Sequence, residues 1–200
     1  MKSRFLVVMA ALAMVFAFSF GAQAQTLTSD IVFLKFGYVP LNTYEYDVAG
    51  SEQVESSGLA IQGEYNLNFN NFWIGFGLEY EYLWWKDNGD YKWAYLTPQV
   101  SAKFAAMGGL YVGAGLAGKY LISYDSPSGS DYDPDKKIDL WVNGILGYYM
   151  PIGEAVFLDL EGRFGYNLTN QQWADDDDVK NSYELAFYVG IGYRASASDY

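Results

Sequence analysis

Two pairs of carboxylates carry the most obvious chemical potential in this chain. Glu79 and Glu81 are separated by one residue, as are Asp159 and Glu161. In an extended strand that spacing puts both members of a pair on one face. Facing carboxylates are the equipment of acid–base chemistry such as glycoside hydrolysis. The bland alternative is charge pairing within a core, and it is preferred because Lys103, Lys119 and Arg163 share the same face in their own segments. The chain contains no histidine, so any mechanism that needs an imidazole is ruled out. The expectation is a protein without enzymatic activity and without a cofactor.

Other motifs weigh less. Gly113-Ala114-Gly115-Leu116-Ala117-Gly118 spells a dinucleotide fingerprint. The mechanism of that fingerprint needs a strand, a turn and a helix N-terminus; here apolar–polar alternation continues to Tyr124, which leaves no helix. Asp131, Asp133 and Asp135 begin like a calcium loop, but Lys136 stands where the loop needs glycine and no closing glutamate follows. With the acidic run 175–178 they are weak candidates for a divalent cation that bridges to lipopolysaccharide phosphates; a solvated acidic loop is the preferred reading. Asn167-Leu168-Thr169 spells a glycosylation acceptor at a strand end, and nothing is read into it.

The elements that hold these residues are strands. In Leu59–Phe69 every second residue, from Leu59 and Ile61 to Leu67 and Phe69, is apolar or glycine, while Gln62, Glu64, Asn66 and Asn68 alternate with them. Period-two alternation of this kind marks a strand with one apolar and one polar face. Seven further segments repeat it: about Asp30–Val39, Phe72–Trp85, Trp93–Phe104, Leu110–Tyr124, Ile138–Tyr149, Val156–Leu168 and Tyr183–Ala195. Most are near or above the ~9–11 residues with which a tilted strand crosses a bilayer. Short connectors (Asn68–Asn71, Ala105–Gly109, Met150–Glu154) alternate with longer polar ones (Leu41–Ser57, Lys86–Lys92, Asp125–Lys137, Thr169–Ser182). The pattern predicts an all-β fold: an eight-stranded antiparallel up-and-down transmembrane β-barrel, with short periplasmic turns and long extracellular loops. Pro98 cannot donate to a ladder, so a bulge is expected there, or a later start of the strand.

The N-terminus carries Lys2 and Arg4, then an apolar run from Phe5 to Phe20, then Ala22-Gln23-Ala24. That is the layout of a cleaved export signal over residues 1–24, and the run is short for a retained anchor. Residues 25–200 form the expected single barrel domain. A formal charge of −12 argues against nucleic acid as a partner. Tyrosine occurs 19 times and aromatics make up 19% of the chain, which suits the interfacial girdles of a membrane barrel.

Alternation alone also fits a soluble barrel with its apolar face inward. The polar face decides. It holds Gly75, Gly77, Gly113, Gly115, Gly147, Gly165, Gly190 and Gly192 beside Trp73, Trp85, Tyr111, Trp141 and Tyr188. Small and very large residues together suit a crowded interior. The charges then placed inside are Lys35, Glu64, Glu79, Glu81, Lys103, Lys119, Asp139, Asp159, Glu161, Arg163, Glu184 and Arg194. They are expected to form an internal ion-pair network, because an unpaired buried charge costs several kcal/mol or so, and to plug the lumen.

Two segments carry a family resemblance. Leu110-Tyr111-Val112-Gly113-Ala114-Gly115-Leu116 and Tyr188-Val189-Gly190-Ile191-Gly192-Tyr193-Arg194 resemble the fifth and last strands of the outer-membrane β-barrel domain family. That family includes the OmpA transmembrane domain, OmpX and the OmpW-like proteins. The resemblance covers the region after the export signal and implies insertion by the barrel-assembly machinery. Members usually close with an aromatic directly after the last strand. Here Ala195 stands in that place and the tail 196–200 follows. No soluble peptidoglycan-binding domain follows the barrel, so the likeness is to the small stand-alone members.

The expected function is that of a non-enzymatic barrel in the cell outer membrane, monomeric, in contact with lipid and lipopolysaccharide. It would serve as a structural component or act in adhesion or protection through its acidic loops. The alternative is a narrow OmpW-like channel for small or apolar solutes.

Overall fold

The computed structural model describes residues 29–46, 53–69, 71–87, 90–125, 138–169 and 179–195. The export signal 1–24, the acidic residues Asp131, Asp133 and Asp135, and the run 175–178 lie outside them. Eight strands follow one another in chain order: β1 (Ser29–Tyr46), β2 (Gln53–Phe69), β3 (Phe72–Trp85), β4 (Lys92–Ala105), β5 (Leu110–Asp125), β6 (Ile138–Pro151), β7 (Val156–Asn167) and β8 (Val179–Ala195). Each pairs antiparallel with its sequence neighbours, and β8 returns to β1, so the sheet closes into a barrel. A closed barrel leaves no edge strand unpaired. Among the described residues no helix is long and apolar enough to cross a membrane.

Alternation sets the two faces. Val32, Leu34 and Phe36 point outward while Ile31, Phe33 and Lys35 point inward and are buried. The same parity runs round the wall, so the outer surface is a continuous apolar belt. Phe36 and Ile191 are 61% and 62% exposed, whereas the polar face is shut inside. This is an inside-out arrangement for a protein in water and the expected one for a protein in hydrocarbon.

Large inward side chains lie over glycines on the neighbouring strand. Tyr111 is registered with Gly147 and Phe33 with Gly192. A Cβ on either glycine would collide with the facing ring, so these positions require the absence of a side chain. At the β4–β5 connection Gly108 and Gly109 adopt φ of 76° and 90°, which glycine tolerates at no steric cost.

Five expectations need correction. β1 runs on to Tyr46, β2 starts at Gln53 and β8 starts at Val179, so the barrel wall rises further on the long-loop side than alternation suggested. The reason is a bulge at Pro40 and Leu41: Val39 pairs with Gly58, but Asn42 pairs with Ser56. The extra residue shifts the parity, which makes the rest of β1 look like a loop. Pro98 produces no bulge. It is registered with Leu78 on β3, and on the β5 side the register resumes at Gln99 without a shift. The irregularity lies further along, where Ala94 pairs with Ser123 and Tyr95 with Leu121. Beyond it Tyr124, expected on the outer face, packs against the interior cluster of Trp93 and Tyr95.

Candidate functional site: the filled lumen

The interior is built in tiers from residues that alternate inward on all eight strands. At the short-turn end lies an aromatic floor. Ile31, Phe33 and Phe157 form one cluster and Trp73, Tyr111 and Ile145 another, with Tyr149 packed against both. The Trp73 and Tyr149 rings meet edge to face with centroids 4.9 Å apart. At the long-loop end Val39, Tyr44, Leu83, Trp93, Tyr95, Leu121 and Tyr188 form a roof, in which the Tyr44 and Tyr95 hydroxyls are 2.9 Å apart.

The charges sit between floor and roof in two groups. In the first, Lys35 Nζ lies 2.8 Å from Glu64 Oε2, 2.8 Å from Asp159 Oδ2 and 2.7 Å from Glu161 Oε2. Lys103 Nζ bridges Glu64 at 2.5 Å and Glu161 at 3.0 Å. Arg163 reaches Glu161 through Nε at 2.5 Å and Glu79 through Nη1 at 3.1 Å. Its remaining donors go to Gln99 Oε1 at 3.0 Å and Gln62 Oε1 at 2.5 Å, while the plane of the guanidinium covers the Tyr188 ring at 4.3 Å. Tyr111 Oη is 2.8 Å from both Asp159 Oδ1 and Glu161 Oε2. In the second group Lys119 joins Glu81 at 2.7 Å and also Glu184, which takes a further bond from Asn42 Nδ2. The Lys119 ammonium is 4.6 Å from the Trp141 ring centroid.

These groups come from strands far apart in the chain. Lys35 and Glu161 are both 0% exposed at the side chain. Removing two such charges from water costs several kcal/mol per ion or so, recovered only when geometry and accessory hydrogen bonds are good. Every cation here has at least two carboxylate partners, and rings cover the faces of Arg163 and Lys119, which adds cation–π attraction. The arrangement pairs and orients charge within a closed wall.

The structure therefore brings together Lys35, Glu64, Glu79, Glu81, Lys103, Lys119, Asp159, Glu161, Arg163 and Glu184. Two residues of the expected set lie toward the ends of the barrel. Asp139 lies at the long-loop end, where it accepts from Asn167 Nδ2 at 3.0 Å and Thr169 Oγ1 at 3.2 Å. Arg194 lies at the short-turn end with its guanidinium 4.6 Å from the Phe157 ring centroid, apart from both groups. Gln62, Gln99 and Asn42 were not singled out from the sequence. The first two share the parity of the charged residues and were legible on that ground; Asn42 follows the Pro40 bulge and was hidden by it. Gly113, Gly115 and Gly118 lie within β5, which continues as strand to Asp125. Among the described residues no group of three or more acidic side chains is placed to hold a metal ion.

Outside, Asp30 marks the short-turn rim, where Tyr65 Oη donates to Asp30 Oδ2 at 2.6 Å. At the other rim Tyr82 and Trp84 sit side by side with centroids 6.3 Å apart. Between them the outer face is apolar.

No protein-family model matches the chain, and no curated protein matches it. Solved structures do. Neisserial surface protein A (NspA) superposes with a TM-score of 0.53 at 15% identity, over 81% of this chain and 96% of that one. The outer membrane protein OprG from Pseudomonas aeruginosa superposes with a TM-score of 0.56 at 14% identity, over 85% and 97%. At such identity the likeness is one of fold, and it is the fold implied by the resemblance of Leu110–Leu116 and Tyr188–Arg194. The chain has the closed eight-stranded antiparallel fold of the small outer-membrane β-barrels.

Proposed function

We propose that this protein is an integral, non-enzymatic barrel of the cell outer membrane with a sealed lumen, acting through the rim that bears its long acidic loops. One observation carries the reading: a wall that is apolar outside encloses an interior filled with paired charge between two aromatic tiers. A tilted strand needs ~9–11 residues to cross a bilayer, and the strands here have 12 to 18. The excess lifts the long-loop rim clear of the belt.

The export signal at 1–24 and insertion by the barrel-assembly machinery belong to the same reading. So does a monomer in contact with lipid and lipopolysaccharide. The loops carry much of the acidity of a chain with net charge −12, which suits a repulsive, protective surface or recognition of a cationic partner. The buried ionic tier stands against passage of apolar solutes, and the close burial of the inward side chains against passage of polar ones. The carboxylate pairs 79/81 and 159/161 are neutralised by Arg163, Lys119, Lys35 and Lys103, which supports a structural role for them.

The test is insertion followed by conductance. The chain freed of residues 1–24 is refolded into phospholipid vesicles, washed with carbonate and moved to planar bilayers. The expected result is retention in the vesicle pellet and no stable single-channel openings. Release into the supernatant overturns the membrane reading; frequent stable openings overturn the sealed lumen.

A further inference from the structure

The ionic tier holds more acid than base. Six carboxylates, on Glu64, Glu79, Glu81, Asp159, Glu161 and Glu184, share four cations, on Lys35, Lys103, Lys119 and Arg163. All ten side chains are buried. Unbalanced charge in a closed interior is met by a counter-ion or removed by a proton.

The excess is sharpest in the second group. Glu161 touches Lys35, Lys103 and Arg163, and Tyr111 donates to it and to Asp159. Glu81 and Glu184 meet on one ammonium, that of Lys119, and among the described residues neither touches another cation. The two carboxyl groups are also within hydrogen-bonding reach of each other. Like charges held this close in a dry site do not both persist.

The surrounding strands do not relieve the pair. Glu79 shares the inner face of β3 with Glu81 and takes Arg163 of β7 for itself. Asp139 of β6 is registered with Lys119 and adds negative charge. Opposite Glu81 stand Ala60 of β2 and Tyr95 of β4, and Tyr95 in turn meets the Tyr44 hydroxyl of β1. Tyr188 of β8, under the Arg163 guanidinium, is neutral as well.

A separate mark comes from oxygen atoms. Glu81 Oε1, Asn42 Oδ1 and Thr97 Oγ1 have no hydrogen-bond partner among the described residues. Glu81 and Asn42 are 0% exposed and Thr97 is 2% exposed. Thr97 is registered with Glu79, one inward position from Tyr95 and Glu81. Buried acceptors without a donor are costly. Glu81 Oε2 already takes Lys119, and Asn42 Nδ2 already gives to Glu184. A hydrogen on Glu81 Oε1 removes one negative charge and turns an acceptor into a donor beside two orphan oxygens.

We propose that the lumen contains a proton-binding site at Glu81, which stands as a neutral carboxylic acid beside ionised Glu184. An unfolded glutamate ionises near pH 4.3 or so, so above that pH folding takes up a proton and unfolding releases it. The contribution of the site to stability is complete in acid and declines as pH rises, until the folded site itself ionises. Over that interval the unfolding equilibrium constant grows about tenfold per pH unit through this site alone.

Glu81→Gln keeps the shape of the neutral acid and cannot titrate. Wild type, Glu81→Gln and Glu161→Gln are refolded in detergent micelles and unfolded with urea from about pH 5 to about pH 9. A barrel closes its lumen there without a bilayer, so failure of the site and failure of the membrane reading are separate results. The expected ratio of wild-type to Glu81→Gln unfolding constants rises about tenfold per pH unit, with the variant at least as stable as wild type at neutral pH. Glu161→Gln, which strips three cations of a shared partner, is expected to be destabilised at neutral pH. A wild-type to Glu81→Gln ratio that does not change with pH overturns the proposal. Wild-type stability that needs sodium rather than N-methylglucamine, with the need lost in Glu81→Gln, makes a metal ion the occupant and also overturns it. Infrared spectroscopy gives a second readout. Wild type at neutral pH is expected to show the carbonyl stretch of a buried protonated carboxyl group, lost in Glu81→Gln. If that variant does not fold, the wild-type spectrum decides: a band that vanishes in alkali supports the site, and no band at neutral pH overturns it.

Discussion

Lys35 Nζ and Glu161 Oε2 are 2.7 Å apart although 126 residues separate them in the chain. The pair joins the first strand to the seventh across the lumen. Lys35 also neutralises Glu64 and Asp159, so Lys35→Met leaves an acidic cluster with one cation fewer. The expected loss is about 3–5 kcal/mol of unfolding free energy, the usual consequence of breaking a buried pair from one side. Asp159 has Lys35 as its ion-pair partner among the described residues, so adding Asp159→Asn is expected to restore part of that loss. Urea unfolding of the vesicle-inserted protein, followed by tryptophan fluorescence, measures both; no loss in the single variant would refute the network.

The Tyr111 ring occupies the space that a side chain at Gly147 would need. Gly147→Ala is expected to destabilise the barrel by roughly 1–3 kcal/mol through overpacking. Gly63→Ala, outward with open space around it, is expected to be neutral or slightly stabilising. The same urea titration compares them, and equal effects at both positions would contradict the facing assigned here.

Charge on the belt should be penalised by depth. Leu78 lies midway along β3 on the outer face and is 53% exposed. Leu78→Arg is expected to cost about 2–4 kcal/mol in a bilayer, against about 0–1 kcal/mol for Met150→Arg at the short-turn rim. Unfolding in vesicles should reveal the difference, and in small detergent micelles it should shrink. An inverted order would mean that the belt is not where hydrocarbon lies.

Deletion of Pro40 should be tolerated. Leu41 would then pair in its place and Asn42 would still face inward, since the present register has one residue too many between Val39 and Asn42. The expected product is a folded, heat-modifiable barrel with an unfolding midpoint close to wild type. Deletion of Phe36, by contrast, would reverse the facing of its neighbours and is expected to abolish folding. Survival of the Phe36 deletion would show that alternation does not set this fold.

Strand number, strand order and facing were legible because parity alone carries them: one apolar outer face leaves each charge one possible side. Sequence reasoning failed where parity shifts. At Pro40 an added residue made Asn42 and Tyr44 read as loop, and on β5 an added residue after Leu121 misplaced Tyr124 in the same way. Pro98 misled in the opposite sense. A missing N–H removes one rung of a ladder but adds no residue, so the strand passes on unshifted. The partners within the lumen, Glu161 with Lys35 or Arg163 with Glu79, could be named only as a set, because the stagger of a barrel decides which inward positions share a level.

The ionic tier has a bearing on how the molecule is made. Lys35 and Glu64 come from the first two strands, Asp159, Glu161 and Arg163 from the seventh, and the seam that closes the wall is β1 against β8. A sheet that is only partly zipped can pair Lys35 with Glu64 and Arg163 with Glu161, but Lys35 meets Asp159 and Glu161 only when β1 reaches β8. Closure of the ring thus supplies Asp159 with its cation and gives Lys35 two of its three carboxylates.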